Sequence, residues 1–457
     1  MAHFAGIDLG TTAVKGCVVD ELGRVHRRSL RQLDLSRPQP GWCEQDADSL
    51  LAATQSVLDE LWPFEAAAVA GQINTHILVD AEGSPLAPAI SWSDRRAVDY
   101  ADAHWGASSL VARYRWWRAN RAEMLKASTF VLLPRDYVLF RLTGHAVTDA
   151  DSWPDMTEAG RWRTDAPAGL RGLLPEIKRP MDLAGTYRGS QLVVGCMDSV
   201  AAIVGCGTTT PGMAIDVSGS SETVGVVSAT SEHVSAIRSA PEIPGGFWHA
   251  GPTQAGSRSL DWIAALLAPG LNVSEVLALA SDAHPTPTGL IFLPYLDGER
   301  APLWDPALRG ALVGLNTSHG AGDVVRAVLE GVAFAVRHII DVARPPSDPA
   351  PGGLVICGGG ARSSLWNQIK ADATGLTAKA PTDWNTGASG AAMIAAASAS
   401  GLSLERVQET MAPPSTQYTP DGGSRAAYDQ LYAVYRDVAG TLTQSSHHLS
   451  NIRRQEA

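Results

Sequence analysis

Asp8, in the stretch AGIDLGTTAVKGCVVD (residues 5–20), sits among residues that read as a buried strand, and Gly10-Thr11-Thr12 follows it at once. A second stretch, AIDVSGSSETVGVVS (214–228), repeats the arrangement: Ile-Asp, one apolar residue, a Gly/Ser turn, then an apolar strand. Glycine lets a backbone come close to an anion, turn amides point at it, and hydroxyls add donors, so paired turns of this kind can clamp phosphate. A single such turn needs no ligand; two at matching positions carry more. The common phosphate loop is excluded, because the chain contains no Gly-Lys pair. Gly358-Gly359-Gly360 lies between an apolar strand and a helix, where a nucleotide's adenosine or α-phosphate could approach backbone and helix dipole. A plain strand-to-helix turn explains it equally. Asp198 precedes SVAAIVG, the ordinary place for an N-cap. A carboxylate there could also take a proton from an attacking hydroxyl, as phosphoryl transfer requires.

These residues need elements to hold them. Ile7 and Leu9, then Val14, Gly16 and Val18, alternate on a period of two and predict a hairpin about Gly-Thr-Thr. Residues 46–61 read as a helix, 66–70 as a strand, and THILVDAEGSPLAPAISW as a hairpin with an Asp-Ala-Glu-Gly turn. Helical segments fill 108–145 and end at Gly144; 146–190 reads as polar and irregular. In the second half, Val325, Val328, Leu329, Val332, Val336, Ile339 and Ile340 line one face of a helix. TGASGAAMIAAASAS is a helix of small residues suited to close packing, and the final dozen residues read as a solvated tail. The repeated hairpin implies two related domains, with the boundary at TTTPG (208–212). We therefore expect domains over 1–210 and 211–440, then a tail over 441–457.

With 457 residues, the chain is long enough for two or three domains. Its net charge of −11 argues against a nucleic-acid or anionic-membrane partner. No run of eighteen apolar residues predicts a membrane span, and MAHFAG does not read as a secretory signal. Five scattered cysteines without a CxxC pair suggest reduced thiols in a cytoplasmic protein, with no zinc site.

Residues 290–337, LIFLPYLDGERAPLWDPALRGALVGLNTSHGAGDVVRAVLEGVAFAVR, resemble a signature of the FGGY carbohydrate kinases, through the Gly310–Leu315 block, Asp323-Val324 and Ala327 to Glu330. GIDLGTTAVKG resembles that family's first phosphate motif and VSGSSE a variant of its second. ICGGGARSSLWNQIKADATG resembles the adenosine motif, and GCMDSVAAIVGCG the segment of the catalytic Asp. The xylulokinase-like branch is nearest. The resemblance implies an α/β fold of two ribonuclease-H-like domains, of the actin, hexokinase and chaperone-ATPase type, flanking an interdomain cleft. It implies ATP and Mg²⁺ as cofactors and a small sugar as acceptor. Asp8 would hold the metal, while Gly10, Thr11, Thr12 and Lys15 face the phosphates. Gly219, Ser220 and Ser221 would meet them from the other domain, with Gly359 and Gly360 near adenosine and Gly256 and Ser364 as further nucleotide candidates. Asp198 would contact the sugar and deprotonate its hydroxyl.

The sugar motif departs from the family pattern. Where pentulose kinases carry a GQMHG-like stretch, this chain reads GQINTH: Gln72 stays, but Ile73 and Asn74 replace the Met-His pair. His76 could stand in, sharing Asn74's face if the segment is a strand; otherwise it is a structural histidine. Trp92, Asp94 and Arg96 keep the family spacing, and Arg113 and Trp116 remain of another signature. A kinase of a different polyol, or an inactive sugar- or nucleotide-binding relative, is the alternative, although keeping Asp8 and Asp198 together argues against inactivity. Whether His76 or Arg113 contacts substrate, and whether the chain is a homodimer, are questions the sequence leaves open.

Overall fold

The computed structural model describes residues 2–102, 105–207, 209–232, 234–237, 240–282, 287–383 and 385–455. Thr208, the first residue of the expected boundary stretch, lies outside them. Two units emerge from the packing: Met1–Thr208 with Asn385–Pro413, and Thr209–Trp384 with Pro414–Ala457.

In the first unit, His3–Leu9 (β1) and Ala13–Asp20 (β2) pair antiparallel around Gly10-Thr11-Thr12. Val25–Gln32 (β3) largely alternates between covered and exposed positions, as an edge strand does. Ala47–Leu61 (α1) begins where the Asp46 carboxylate accepts the Ser49 amide at 2.6 Å, and it buries Leu50, Leu51, Val57, Leu58 and Leu61. Ala66–Gly71 (β4), buried throughout, runs parallel to β1. Leu110–Asn120 (α2) and Pro134–Thr143 (α3) follow; α3 ends at Gly144, where the sequence reading ends it, and the glycine takes a left-handed φ of +78°. Leu183–Tyr187 (β5) and Ser190–Val193 (β6) complete a sheet of order β5-β6-β4-β1-β2-β3, and Asp198–Val204 (α4) leaves it.

The expected hairpin over 75–92 is reduced to single bridges, His76 to Ile90 and Val79 to Pro85. Ile77–Val79 pairs instead with Phe130–Leu132, and Ala89–Ile90 with Glu44–Gln45. Pro85 and Pro88 have no N–H to give a ladder, so this arm cannot continue as a strand. The stretch 146–190 also holds short strand pairs, among them Thr157–Glu158 with Arg161–Trp162.

The second unit repeats the first. Met213–Ser218 (β7) and Glu222–Ser228 (β8) form its hairpin, followed by Glu242–Ile243 (β9) and Gly246–Pro252 (β10). Ala321–Ala343 (α5), started by the Gly320 amide donating to Asp323 at 2.8 Å, buries the seven-residue face read from the sequence. Gly353–Cys357 (β11), Ser364–Thr374 (α6), Ala378–Pro381 (β12), Thr386–Ser400 (α7) and Ser415–Tyr418 (β13) complete the series. The sheet order is β9-β10-β8-β7-β11-β12-β13. Its core run β10-β8-β7-β11-β12 therefore matches β3-β2-β1-β4-β6 strand for strand, with the same parallel and antiparallel senses.

Helix α7 follows β12 as α4 follows β6, yet it packs in the first unit, on β1 and α4. Only small residues allow this approach: a Cβ on Gly6 would lie 1.9 Å from the Ala388 carbonyl oxygen, and one on Gly390 1.8 Å from that of Ala201. The stretch expected as a solvated tail instead forms a helix, Thr443–Gln455, with Ser446 and Ser450 buried. His447 anchors it at 2.6 Å from Asp305, a contact between distant residues that composition does not reveal. Among the described residues, no helix is long and apolar enough to cross a membrane.

Candidate active site

In the first unit, Asp8 lies directly opposite Lys15 in the β1–β2 ladder, with Lys15 Nζ 3.9 Å from Asp8 Oδ2. Helix α7 reaches the same carboxylate: a Cβ on Gly387 would sit 2.8 Å from Asp8 Oδ2. The first turn of a helix is its positive end and favours a negative charge beside it. Burial nevertheless raises the Asp8 pKa, with Lys15 pulling it down. Asp198 is the first residue of α4; Met197 holds the N-cap position and makes no side-chain cap bond. The Asp198 carboxylate accepts the Ser199 amide at 2.7 Å. It is pushed up to about 7, first by burial and then by the charge of Asp8, against the opposing pull of the Ser199 amide and Lys15. Asp8, Lys15 and Asp198 thus form one electrostatic group, in which Asp198 keeps its proton to higher pH than an ordinary carboxylate.

The Gly10–Thr12 turn is tied to a buried amide network. Thr11 donates its hydroxyl to Gln72 at 2.9 Å and accepts Trp92 Nε1 at 3.0 Å, while Gln45 donates to the Thr11 carbonyl at 2.8 Å. Gln72 in turn donates to Gln45 at 2.8 Å. The hydroxyl proton of Thr11 is therefore committed inward. Thr12 is exposed, and Gly10 donates to the Ala13 carbonyl at 3.1 Å. Ile73 and Asn74 follow, half-buried, with Asn74 at φ +57°. That left-handed residue breaks the strand alternation on which His76 would have shared Asn74's face. His76 is buried, accepts Arg113 at 2.7 Å, and lies stacked 5.6 Å from Trp153. Burial and the Arg113 charge hold it neutral, well below the usual imidazole range. Arg113, on α2, also donates to the carbonyls of Asn74, Ile90 and Ser91 and is lowered to about 9 by burial. Both side chains shape the segment rather than face solvent. Asp94 and Arg96 form a buried pair at 2.7 Å, with Arg96 also 2.8 Å from Glu44 and 3.6 Å over the Trp42 ring.

In the second unit, the Gly219-Ser220-Ser221 turn is braced by the start of helix Ser257–Leu267. Ser257 donates to the Gly219 carbonyl at 3.0 Å and Arg258 to that of Ser220 at 3.2 Å. Gly256 lies against this turn, where a Cβ would come 2.8 Å from the Ser220 oxygen. Gly360 packs on Ser218, whereas a Cβ on Gly359 would meet nothing within 4 Å. Ser364 is exposed; the cap of α6 is Ser363, which accepts the Trp366 amide at 3.2 Å. Sequence reasoning missed Lys370, buried and bonded to Asp216, Ser218 and Glu222 directly behind the turn. Three polar residues in a strand-turn-strand, Asp216, Ser218 and Glu222, were the available sign that a buried cation would be needed.

Among the described residues, no three His, Cys, Asp or Glu side chains gather as a metal cage. A magnesium ion needs none, since it keeps several waters and is held by one or two carboxylates together with substrate phosphates. Asp8, close enough to Asp198 for its charge to raise the pKa of that second carboxyl, fits that kind of donor set.

Two copies of one sheet order, each with a glycine-hydroxyl hairpin turn, give the chain the actin and hexokinase ATPase fold. The family model for the N-terminal domain of the FGGY family of carbohydrate kinases matches residues 3–109, and that for the C-terminal domain matches 217–399. Xylulose kinase of Escherichia coli K12 is 31% identical, over 95% of this chain and 98% of its own. The crystal structure of xylulose kinase from Rhodospirillum rubrum superposes with a TM-score of 0.85 at 27% identity, covering 97% of this chain and 100% of that one. Gluconate kinase from Lactobacillus acidophilus shares the fold with a TM-score of 0.86 at 20% identity, over 98% and 99%. The chain belongs to the FGGY family and is a carbohydrate kinase.

Proposed function

We propose that this kinase transfers the γ-phosphoryl group of ATP to a hydroxyl of a small ketose of the xylulose type, with Asp198 as general base. The observation that carries the reading is the Asp198 carboxyl, held at a helix start and pushed up to about 7. A base with that affinity takes a proton from the acceptor alcohol as it attacks, and such assistance is worth ~10²–10⁴-fold in rate. Positioning must supply the remainder. The Gly10–Thr12 and Gly219–Ser221 turns would hold phosphates; among the described residues, the amides of Thr11 and Thr12 find no protein acceptor. Lys15 would add charge, Gly256, Gly359, Gly360 and Ser364 would border the nucleotide, and Gln72, Ile73 and Asn74 the sugar. Asp8 would hold Mg²⁺, which when bound offsets charge on the phosphate oxygens. In this reading the chain is a cytoplasmic enzyme with an amino-terminal sugar-binding domain over 1–210 and a nucleotide-binding domain over 211–440.

The Asn74 geometry favours a second reading, a kinase of another polyol. With φ at +57° and its carbonyl held by Arg113, Asn74 presents a short amide where the family pattern has histidine. Sites built for particular hydroxyls reject analogues strongly. A panel of ketoses, aldoses, polyols and aldonates with coupled ADP detection separates the two. Highest kcat/KM with a pentulose supports the first reading; highest kcat/KM with a different class replaces it.

A further inference from the structure

Ser218, the last residue of β7, touches both glycine turns of the second unit. The Gly219–Ser221 turn leaves directly from it. The triple-glycine turn closes onto it: a Cβ on Gly358, at φ +81°, would lie 2.6 Å from the Ser218 carbonyl oxygen, and one on Gly360 2.1 Å from its hydroxyl oxygen. The Ser218 hydroxyl donates to Glu222 at 2.7 Å and accepts Lys370 Nζ at 3.0 Å. Lys370, reaching across from α6, also donates to Asp216 at 2.6 Å and to Glu222 at 2.7 Å. All three of its N–H groups are thereby used, and the whole group is buried.

Such a network is a poor stability device. Desolvating three charges costs several kcal/mol per ion, and well-packed apolar side chains often fill the same space as well or better. One carboxylate oxygen of Asp216 and one of Glu222 even lack a partner. What the ammonium supplies and an apolar filling does not is a fixed place for the Ser218 hydroxyl, and with it for both turns. We propose that Lys370 is a positioning residue for nucleotide: through Ser218 and Glu222 it sets the spacing between the Gly219–Ser221 turn and the Gly358–Gly360 turn. The proposal rests on reading those turns as nucleotide contacts.

Three variants of the full-length enzyme test it. Ser218→Ala removes the shared hydroxyl, and the triple variant D216N/E222Q/K370M removes the ionic group without leaving a buried charge alone. Gly359→Ala is the control for the underlying reading, because its new methyl enters open space and would obstruct a nucleotide directly. We expect Gly359→Ala to weaken ATP binding. Ser218→Ala and the triple variant should raise the KM for ATP roughly tenfold, on the scale of one charge-assisted hydrogen bond. The KM for sugar should stay within error, while the thermal midpoint of nucleotide-free Ser218→Ala should fall, because one buried Lys370 N–H loses its acceptor. If Gly359→Ala weakens ATP binding while Ser218→Ala leaves the ATP KM within twofold, Lys370 does not position nucleotide and the reading of the turns stands. Equal losses in both substrate KM values also overturn the proposal, as a general structural effect. An unaffected Gly359→Ala removes the reading itself and the proposal with it. Should the triple variant fail to fold, Ser218→Ala decides alone.

Discussion

Lys15 and Asp8 face each other across one rung of the first hairpin, 3.9 Å apart, and the same ammonium also lowers the pKa of Asp198. A base must be ionised to act, so kcat/KM, which reports the free enzyme, should rise with pH through a midpoint near 7, the value burial and Asp8 impose on Asp198. Removing Lys15 removes a group that favours the charged carboxylate. Lys15→Met should therefore move the acid limb to higher pH, whatever it does to the plateau. A pH–rate profile of both proteins checks this; an unmoved limb would exclude the coupling.

Asp198 should also cost the fold stability. Its folded-state pKa stands above the ordinary 3.8, so its contribution is fully present below that value and is lost as pH rises through about 7. Asp198→Asn should be more stable than the wild type at pH 8, by an amount on the order of a few kcal/mol. The gap should close near pH 4. Denaturant titrations at the two pH values measure it.

Helix α7 seats on the first unit through two backbone approaches too close for a side chain, at Gly6 and at Gly390. A methyl at Gly390 would sit 1.8 Å from the Ala201 carbonyl oxygen, so Gly390→Ala must push α7 off α4. The expected loss is at least ~1–3 kcal/mol, the scale of overpacking. Gly359→Ala, with open space around its new methyl, should cost far less by the same chemical-denaturation assay.

Arg113 ties the Asn74 segment to residues 90 and 91 through three carbonyls. Arg113→Met leaves the Asn74 carbonyl and His76 Nδ1 without a donor, at ~1–3 kcal/mol for each unsatisfied group, while the Ile90 and Ser91 carbonyls keep the amides of His76 and Asp94. Since the segment beside Gln72 is what loosens, the sugar KM should rise while the ATP KM holds. Steady-state kinetics in both substrates separate this from a general loss of active enzyme.

The hairpins and the long amphipathic helix were legible because each announces itself locally, by a period of two or by an apolar stripe. The two acids stood out because Asp8 interrupts an apolar run and Asp198 precedes a short apolar helix. The partners of those elements were not legible. The Thr11–Gln72–Gln45–Trp92 network joins residues between 27 and 81 positions apart, and no spacing rule links them. Small residues marked α7 as closely packed, but not that it packs on β1 rather than in the unit containing the strand it follows. Lys370 reads as a helix-surface lysine until Asp216 and Glu222 are seen behind the turn. His76 and Asn74 were expected on one face, and a single left-handed residue undid that.

The role of Asp198 is tested most directly by single-turnover phosphoryl transfer in Asp198→Asn beside calorimetric binding of an ATP analogue. The account predicts a rate lower by ~10²–10⁴-fold with nucleotide affinity unchanged. Transfer at the wild-type rate would contradict it.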